Sequence, residues 1–419
     1  MAIPEGWETV SLSDCGDGIR PAIKAGPFGS ALKKSSYVKD GYRVYGQEQV
    51  IANDFSVGDY FVDDEKFSAL RACAVHPGDV LISLVGTFGR VAIVPRNASP
   101  GIINPRLVRI APDASRIDSG YLAVYIQSPI VQKVLVETAQ GGTMGVLNAT
   151  TLSKLSVTLP PLPEQKKIAA ILSSVDEVIA KTEAVIAQLQ IVKKAMMEQL
   201  LTKGMPGRHT RFKQTEIGEI PEEWEVVPLG KVSSVERGKF SHRPRNDPKM
   251  FGGEFPFIQT GDVAACDGRI TTYSQTLNAK GLLVSRLFPA GTIVITIAAN
   301  IGDTGIATVD VAFPDSLVGI WADSRMDNRF LELVLRSRKH SLDAAAPQNA
   351  QKNINLQVLR PLLIQVPELS EQKQIADCID ALSQASLREQ ELLQTQQTLK
   401  SALSSSLLSG EIRVIPEVA

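Results

Sequence analysis

The strongest constraint on the fold of this chain is an internal duplication. Ile3-Pro4-Glu5-Gly6-Trp7-Glu8 returns as Ile220-Pro221-Glu222-Glu223-Trp224-Glu225, 217 positions later. The run Gly78–Gly89 returns as Gly291–Gly302 at an offset of 213, which also carries Val44-Tyr45 onto Phe257-Ile258 and Val50 onto Val263. Pro163-Glu164-Gln165-Lys166 returns as Ser370-Glu371-Gln372-Lys373 at 207. Ordered blocks whose offset shrinks in small steps describe two homologous halves that differ by short loop deletions.

Each half has two parts. The first, of roughly 150 residues, is rich in Gly, Pro and short β-type runs, a mixed α/β pattern. Val80–Leu84 and Val91–Val94, with Gly86 and Gly89 between them, read as two strands and a tight turn, and Ile293–Ile297 with Ile306–Val309 repeat the design. Short helices are expected at Gly120–Thr138 and near Arg329–Ser341. The second part is a long helix with a heptad-like apolar stripe and no internal Gly or Pro. Pro160-Pro161-Leu162-Pro163 predicts a start no earlier than Glu164; in the second half Ser370 stands in the place of Pro163, suited to cap the helix. Gly204 and Gly410 follow the two C-termini.

A lone helix with so wide a stripe is poorly stable, because each buried Leu or Ile contributes roughly 1.5–3 kcal/mol. The two stripes are therefore expected to pair as an antiparallel coiled coil. Ile168, Ile171, Val175, Val178, Leu189, Val192 and Met196 would face Ile375, Ile379, Leu382, Leu392, Leu399 and Leu403. The bland alternative has each helix packing only on its own globular part. The predicted architecture is α+β, with two tandem pseudo-symmetric halves. It comprises a domain at 1–158, helix at 159–204, linker at 205–219, domain at 220–365, helix at 366–411 and tail at 412–419. Helices of about 38 residues would be on the order of 57 Å long, a ruler with a head at each end.

In this order the residues resemble the specificity subunits of type I restriction–modification enzymes. The resemblance is carried by a variable domain closing on Leu159–Lys166, a long helix, and the same unit again. The turn Val85–Arg90 and the run Phe255–Val263 are similar to motifs of that family's target recognition domains, although Asp303 stands where Arg90 does in the first half. The resemblance implies that each domain reads one half of a split, asymmetric DNA site and that the helices fix the unread spacer. It also implies partners: two adenine-N6 methyltransferase subunits and two ATP-driven restriction subunits. S-adenosylmethionine, ATP and Mg²⁺ would belong to those partners. The remaining alternatives are an orphan scaffold that holds methyltransferase subunits without reading DNA, and an enzyme of unrecognised chemistry.

Catalytic signatures are missing from the sequence. Asn104-Pro105-Arg106 falls short of a methyltransferase loop, Gly238-Lys239 of a phosphate loop, and Asp63-Asp64-Glu65-Lys66 reads as a solvated turn. The cysteines, Cys15, Cys73, Cys266 and Cys378, have no metal or disulfide spacing, and the four histidines are scattered, so no metal site is expected. No signal peptide or membrane-length apolar run stands out, and a cytoplasmic protein is expected. The net charge of −1 argues against a non-specific nucleic-acid binder but not against a reader with cations on one face. Candidate DNA contacts in the first domain are Lys24, Lys33, Lys34, Tyr37, Arg43, Gln47, Gln49, Arg71, Arg90 and Thr143. In the second they are Arg237, Lys239, His242, Arg243, Arg245, Lys249, Gln259, Asn300, Gln348, Asn349, Lys352 and Asn353. The basic run Arg237–Lys249 is the best collective candidate.

Overall fold

A computed structural model describes residues 3–85, 89–140, 149–298, 300–346 and 353–414, with backbone alone for Ser30 and residues 138–140. The chain divides into two compact units: Met1–Glu183 with Glu391–Ala419, and Ala184–Gln390. Each unit holds one head, half of the first long helix (Leu162–Lys203) and half of the second (Leu369–Ser409).

The first head is built on a four-stranded antiparallel sheet in the order Ile23–Ala25, Leu107–Ile110, Val80–Ser83, Val91–Ile93. Both faces are covered, which explains the unbroken apolar runs. Val80, Ile82, Val108 and Ile110 enter the core shared with the helix Ser119–Gln127 and the long helices. Leu81 and Leu107 point the other way, into a second core under the three-stranded sheet Phe61–Val62, Tyr42–Tyr45, Gly101–Ile103. The second head repeats the plan. Ser233–Arg237, Leu317–Ala322, Ile293–Thr296 and Thr304–Ala307 pair in that order, and Gly268–Ile270 adds a fifth strand. Ile293, Ile295, Val318 and Ile320 lie in one core, Val294 and Leu317 in another. Each predicted short helix is in fact two: Ser119–Gln127 and Pro129–Gln140, then Asn328–Ser337 and Lys339–Ala345.

The repeated sequence blocks form a clasp. Trp7 Nε1 donates to Glu164 at 3.1 Å, and Trp224 Nε1 to Glu371 at 3.2 Å. Gln165 donates to the carbonyls of Pro160 and Arg116 and accepts from the Asp118 amide; Gln372 does the same with Pro367, Arg325 and Asp327. All four carboxylate and amide residues are buried. The end of one helix then closes the start of the other. Arg413 and the Val414 amide bind Glu164, while the Met205 amide, Arg208 and His209 bind Glu371. The expected linker 205–219 is thus a structural element, extended by the hairpin Phe212–Thr215/Gly218–Pro221. The tail, as far as Val414, is docked rather than loose.

The helix starts lie earlier than proline alone suggests. Pro163 falls in the first turn of the first helix, where a missing N–H costs nothing. Ser370 likewise falls inside the second helix, and the Glu368 carbonyl takes the first turn's amides.

The helices pair antiparallel within each unit. Ile168 and Leu172 share a core with Leu403, Leu407 and Leu408, and Asp176 is ion-paired to Lys400. In the other unit Leu200, Leu201 and Met196 share a core with Ile375 and Ile379. The covered positions follow a heptad: Gln165, Ile168, Leu172, Val175, Ile179, Thr182, Ile186, Leu189, Lys193, Met196, Leu200. The second helix repeats it 207 positions on, from Gln372 to Leu407. Leu382 occupies the seam position that matches Val175, and Ile171 and Val192 are half-buried beside the seam. Three expected seam residues are corrected: Val178, Leu392 and Leu399 are 47%, 46% and 53% exposed. Each stands one position before a seam residue, about 100° around the helix, so it forms a second row facing outward.

Candidate nucleic-acid interface

The strand directions gather the loops. In the first head Ala25, Ser83, Leu107 and Val91 lie at one end of the four-stranded sheet. The parallel pair Tyr42–Tyr45 and Gly101–Ile103 ends there too, through the bond from the Asn104 amide to the Tyr45 carbonyl. This end therefore carries the loop from Gly26, the start of the helix Gln47–Ala52, the two ends of the connection from Ser83 to Val91, and the turn Asn104–Arg106. Gly26 is required: a Cβ there would lie 1.9 Å from the Asn104 carbonyl oxygen. In the second head Gly238 plays the same part, with its virtual Cβ 2.2 Å from the Pro314 carbonyl oxygen. Both glycine amides donate to the first residue of the next strand, Gly26 to Leu107 at 3.0 Å and Gly238 to Leu317 at 2.9 Å.

The expected contacts sort by what their side chains already hold. Lys33, Lys34, Arg71 and Arg90 are exposed and have no ion-pair partner among the described residues. Arg106, which sequence reasoning set aside as part of a failed motif, is equally exposed at the same end. Lys24 is half-buried on its strand, and Gln47 donates to the Val85 carbonyl, tying two loops together. Tyr37 is half-buried against Tyr60, and burial pushes its phenol above the ordinary range.

Two candidates are corrected. Gln49 is 1% exposed, accepts from the Gly46 amide and donates to Val57, so it shapes the loop from inside. The Arg43 guanidinium is spent on the Val57 and Gly58 carbonyls over the Phe61 ring. Thr143, Gln348, Asn349 and Lys352 lie outside the described residues.

The basic run of the second head is less cationic than it reads. Asp315 takes Arg245 at 2.7 and 3.0 Å, and its carbonyl takes Arg237 at 2.6 Å. His242 bonds Asp247 at 2.9 Å. The Lys249 amide and His242 hold that carboxyl below its ordinary range. Arg243 is exposed but donates to the carbonyls of Phe240 and His242. Lys239 and Lys249 are exposed and have no ion-pair partner among the described residues, and Asn300 and Asn353 are exposed. Gln259 is half-buried and bonds Gln275. Asp303, in place of Arg90, pairs with Lys339.

Charge elsewhere is structural. In the first head Asp79 binds Arg20 at 2.9 Å and lies 4.0 Å from the buried Arg109. In the second, Arg336 binds buried Glu332 and Asp267, and Asp267 also binds Lys193. Complete burial raises the Glu332 carboxyl, against the pull of Arg336 and Thr304. Among the described residues no group of three His, Cys, Asp or Glu is placed to hold a metal ion, and no helix is long and apolar enough to cross a membrane.

Comparison with known proteins accounts for this arrangement. The model of the type I restriction modification DNA specificity domain matches twice, at residues 4–190 and 221–396. A putative type I restriction enzyme MjaX specificity subunit of Methanocaldococcus jannaschii is 30% identical over 98% of this chain and 95% of its own length. The MjaVIII specificity subunit of the same organism is 28% identical over 99% and 95%. Among solved structures, one described as showing complex assembly and conformational transition of the type I R-M system aligns at TM-score 0.60 and 18% identity, covering 98% of this chain and all of that one. The S subunit from M. genitalium aligns at TM-score 0.58 and 12% identity over 100% and 99%. These two share the fold. With the family model covering both halves, the chain belongs to the DNA specificity subunits of type I restriction–modification enzymes.

Proposed function

We propose that the two heads read the two halves of a split, asymmetric DNA sequence, and that the chain performs no catalysis itself. The observation that carries this is the repetition, in each head, of one sheet end whose loops carry exposed cations without an ion-pair partner among the described residues: Lys33, Lys34, Arg90 and Arg106 in the first, Lys239 and Lys249 in the second. Exposed cations can hold phosphates, and the neighbouring amides can address base edges. Helices of 42 and 41 residues support a ruler role, since at 1.5 Å per residue each is about 60 Å long. The outward row Val178, Val185, Leu392 and Leu399 supplies an apolar face for two adenine-N6 methyltransferase subunits, to which two restriction subunits add. S-adenosylmethionine, ATP and Mg²⁺ are assigned to those partners, and the complex to the cytoplasm.

The test is to sequence methylated DNA from cells that express this chain with its methyltransferase partner. One split motif carrying N6-methyladenine in both halves is expected. A folded, assembled complex that adds no sequence-specific methylation would favour a scaffold that binds methyltransferase without reading DNA.

A further inference from the structure

We propose that Phe28 is a base-reading side chain, lying against the C5-methyl group of a thymine in the half-site of the first head. The proposal rests on the DNA-reading role above and names one chemical determinant of it. Phe28 is 77% exposed, although exposing a phenyl ring to water forfeits its burial energy. It stands two residues beyond Gly26, whose Cα is pressed against the Asn104 carbonyl, so it emerges at the loop-bearing end of the sheet. Its backbone is extended, and Gly29 after it takes φ +59°, a turn that leaves the ring outside the head.

The duplication supplies an internal control. Two residues beyond the equivalent Gly238 stands Phe240, the same side chain at the same place. It is 4% exposed, with ring centroids 5.8 Å from Phe251 and 5.1 Å from Phe257. One copy of the position is thus covered from within the chain. The other is left open, in the same loop that five and six residues on carries Lys33 and Lys34, which are exposed and have no ion-pair partner among the described residues. An exposed apolar ring on a loop that also carries exposed cations suits a polyanion with an apolar spot. The thymine methyl is the apolar group that duplex DNA presents at its major-groove base edges.

The experiment uses the complex of the full chain with its methyltransferase partner, wild type or Phe28→Ala. Binding is measured to cognate duplexes in which each thymine of the first half-site is replaced in turn by uracil, which lacks the methyl. For the wild type, one replacement is expected to weaken binding about fourfold, the worth of one buried methyl. F28A should weaken binding to the all-thymine site and be indifferent to that same replacement, while Phe28→Leu should retain part of the discrimination. Unchanged affinity of F28A would overturn the proposal. So would equal uracil penalties in both proteins at every position. A wild-type complex that selects no sequence would instead remove the DNA-reading role itself.

Discussion

Replacing Lys33 and Lys34 together by alanine should change the salt dependence of DNA binding in a way that replacing Arg245 does not. Each phosphate contact contributes about 0.9 to the slope of log affinity against log salt. Relative to molar salt, that is about eightfold in affinity per contact near 0.1 M, or about sixtyfold for two. Lys33 and Lys34 are exposed and without ion-pair partners among the described residues, so both are available to phosphates. The double variant should flatten the slope by about 1.8, with wild-type and variant lines converging at high salt. Arg245 is already neutralised by two bonds to Asp315, at 2.7 and 3.0 Å, so R245A should leave the slope close to that of the wild type. Fluorescence anisotropy of the assembled complex on its cognate duplex, at several salt concentrations between about 50 and 200 mM, reads both slopes. An unchanged slope in the lysine double variant would refute the reasoning for the first head. A flattening in R245A equal to one contact would show that Asp315 releases the arginine on binding.

Four further outcomes follow from the packing. Burial alone would raise the Glu164 carboxyl, but Arg413, Trp7 and the Val414 amide outweigh burial and lower it. Its contribution is therefore complete above the unfolded value of about pH 4.3 and lost as pH falls below it; E164Q should cost about 2–3 kcal/mol in urea unfolding at neutral pH and show less acid sensitivity. Asp79→Asn should destabilise the first head by about 3–5 kcal/mol, because it strands Arg109 at 1% exposure; an unshifted midpoint would mean that the Ala74 and Pro21 carbonyls suffice for that guanidinium. Gln396 carries a buried Oε1 without a hydrogen-bond partner among the described residues, so Gln396→Leu should raise stability by about 1–3 kcal/mol, and a lowered melting temperature would contradict this. Inserting one heptad after Lys181 and another after Arg388, both exposed and 207 positions apart, adds about 10 Å to each helix in register; methylated-motif sequencing should then show a longer spacer between unchanged half-sites, and an unaltered spacer would end the ruler role.

Much of this fold could be read from the sequence because it was written twice. The Ile-Pro-Glu-x-Trp blocks, the paired strand runs and the Glu-Gln-Lys starts located both heads and both helices. The seam was blurred at its middle by composition. Thr182, Ser386 and Glu389 are polar seam positions, while Val178, Leu392 and Leu399 are apolar and face out. Hydrophobicity alone therefore chose the wrong row there, whereas strict heptad counting from Gln165 or Gln372 finds the right one. The candidate site was less legible, since a basic residue in a loop does not announce its carboxylate. Asp315 lies 70 residues from Arg245, and only the folded loop brings them together. Gln49 and Arg43 failed for the same reason, as both are consumed by the carbonyls of a neighbouring turn.

The division between what repeats and what diverges is itself a functional argument. The motifs that match best across the halves, around Trp7/Trp224 and Glu164-Gln165/Glu371-Gln372, are buried in the clasp that joins the head to the helix starts. They are bound by hydrogen-bond geometry that tolerates few substitutions, which suffices to explain their recurrence. The loops at the open sheet ends answer to no such constraint. Between Gly26 and Lys34 in one head, and Gly238 and Lys249 in the other, length, charge and the fate of the phenylalanine all differ. Even the sheet edge differs, with Gly268–Ile270 present in the second head and its Asp267 joined to Lys193 of the first long helix. Two heads hung on matching clasps but ending in unlike loops are suited to reading two unlike half-sites, so an asymmetric target follows from a symmetric frame.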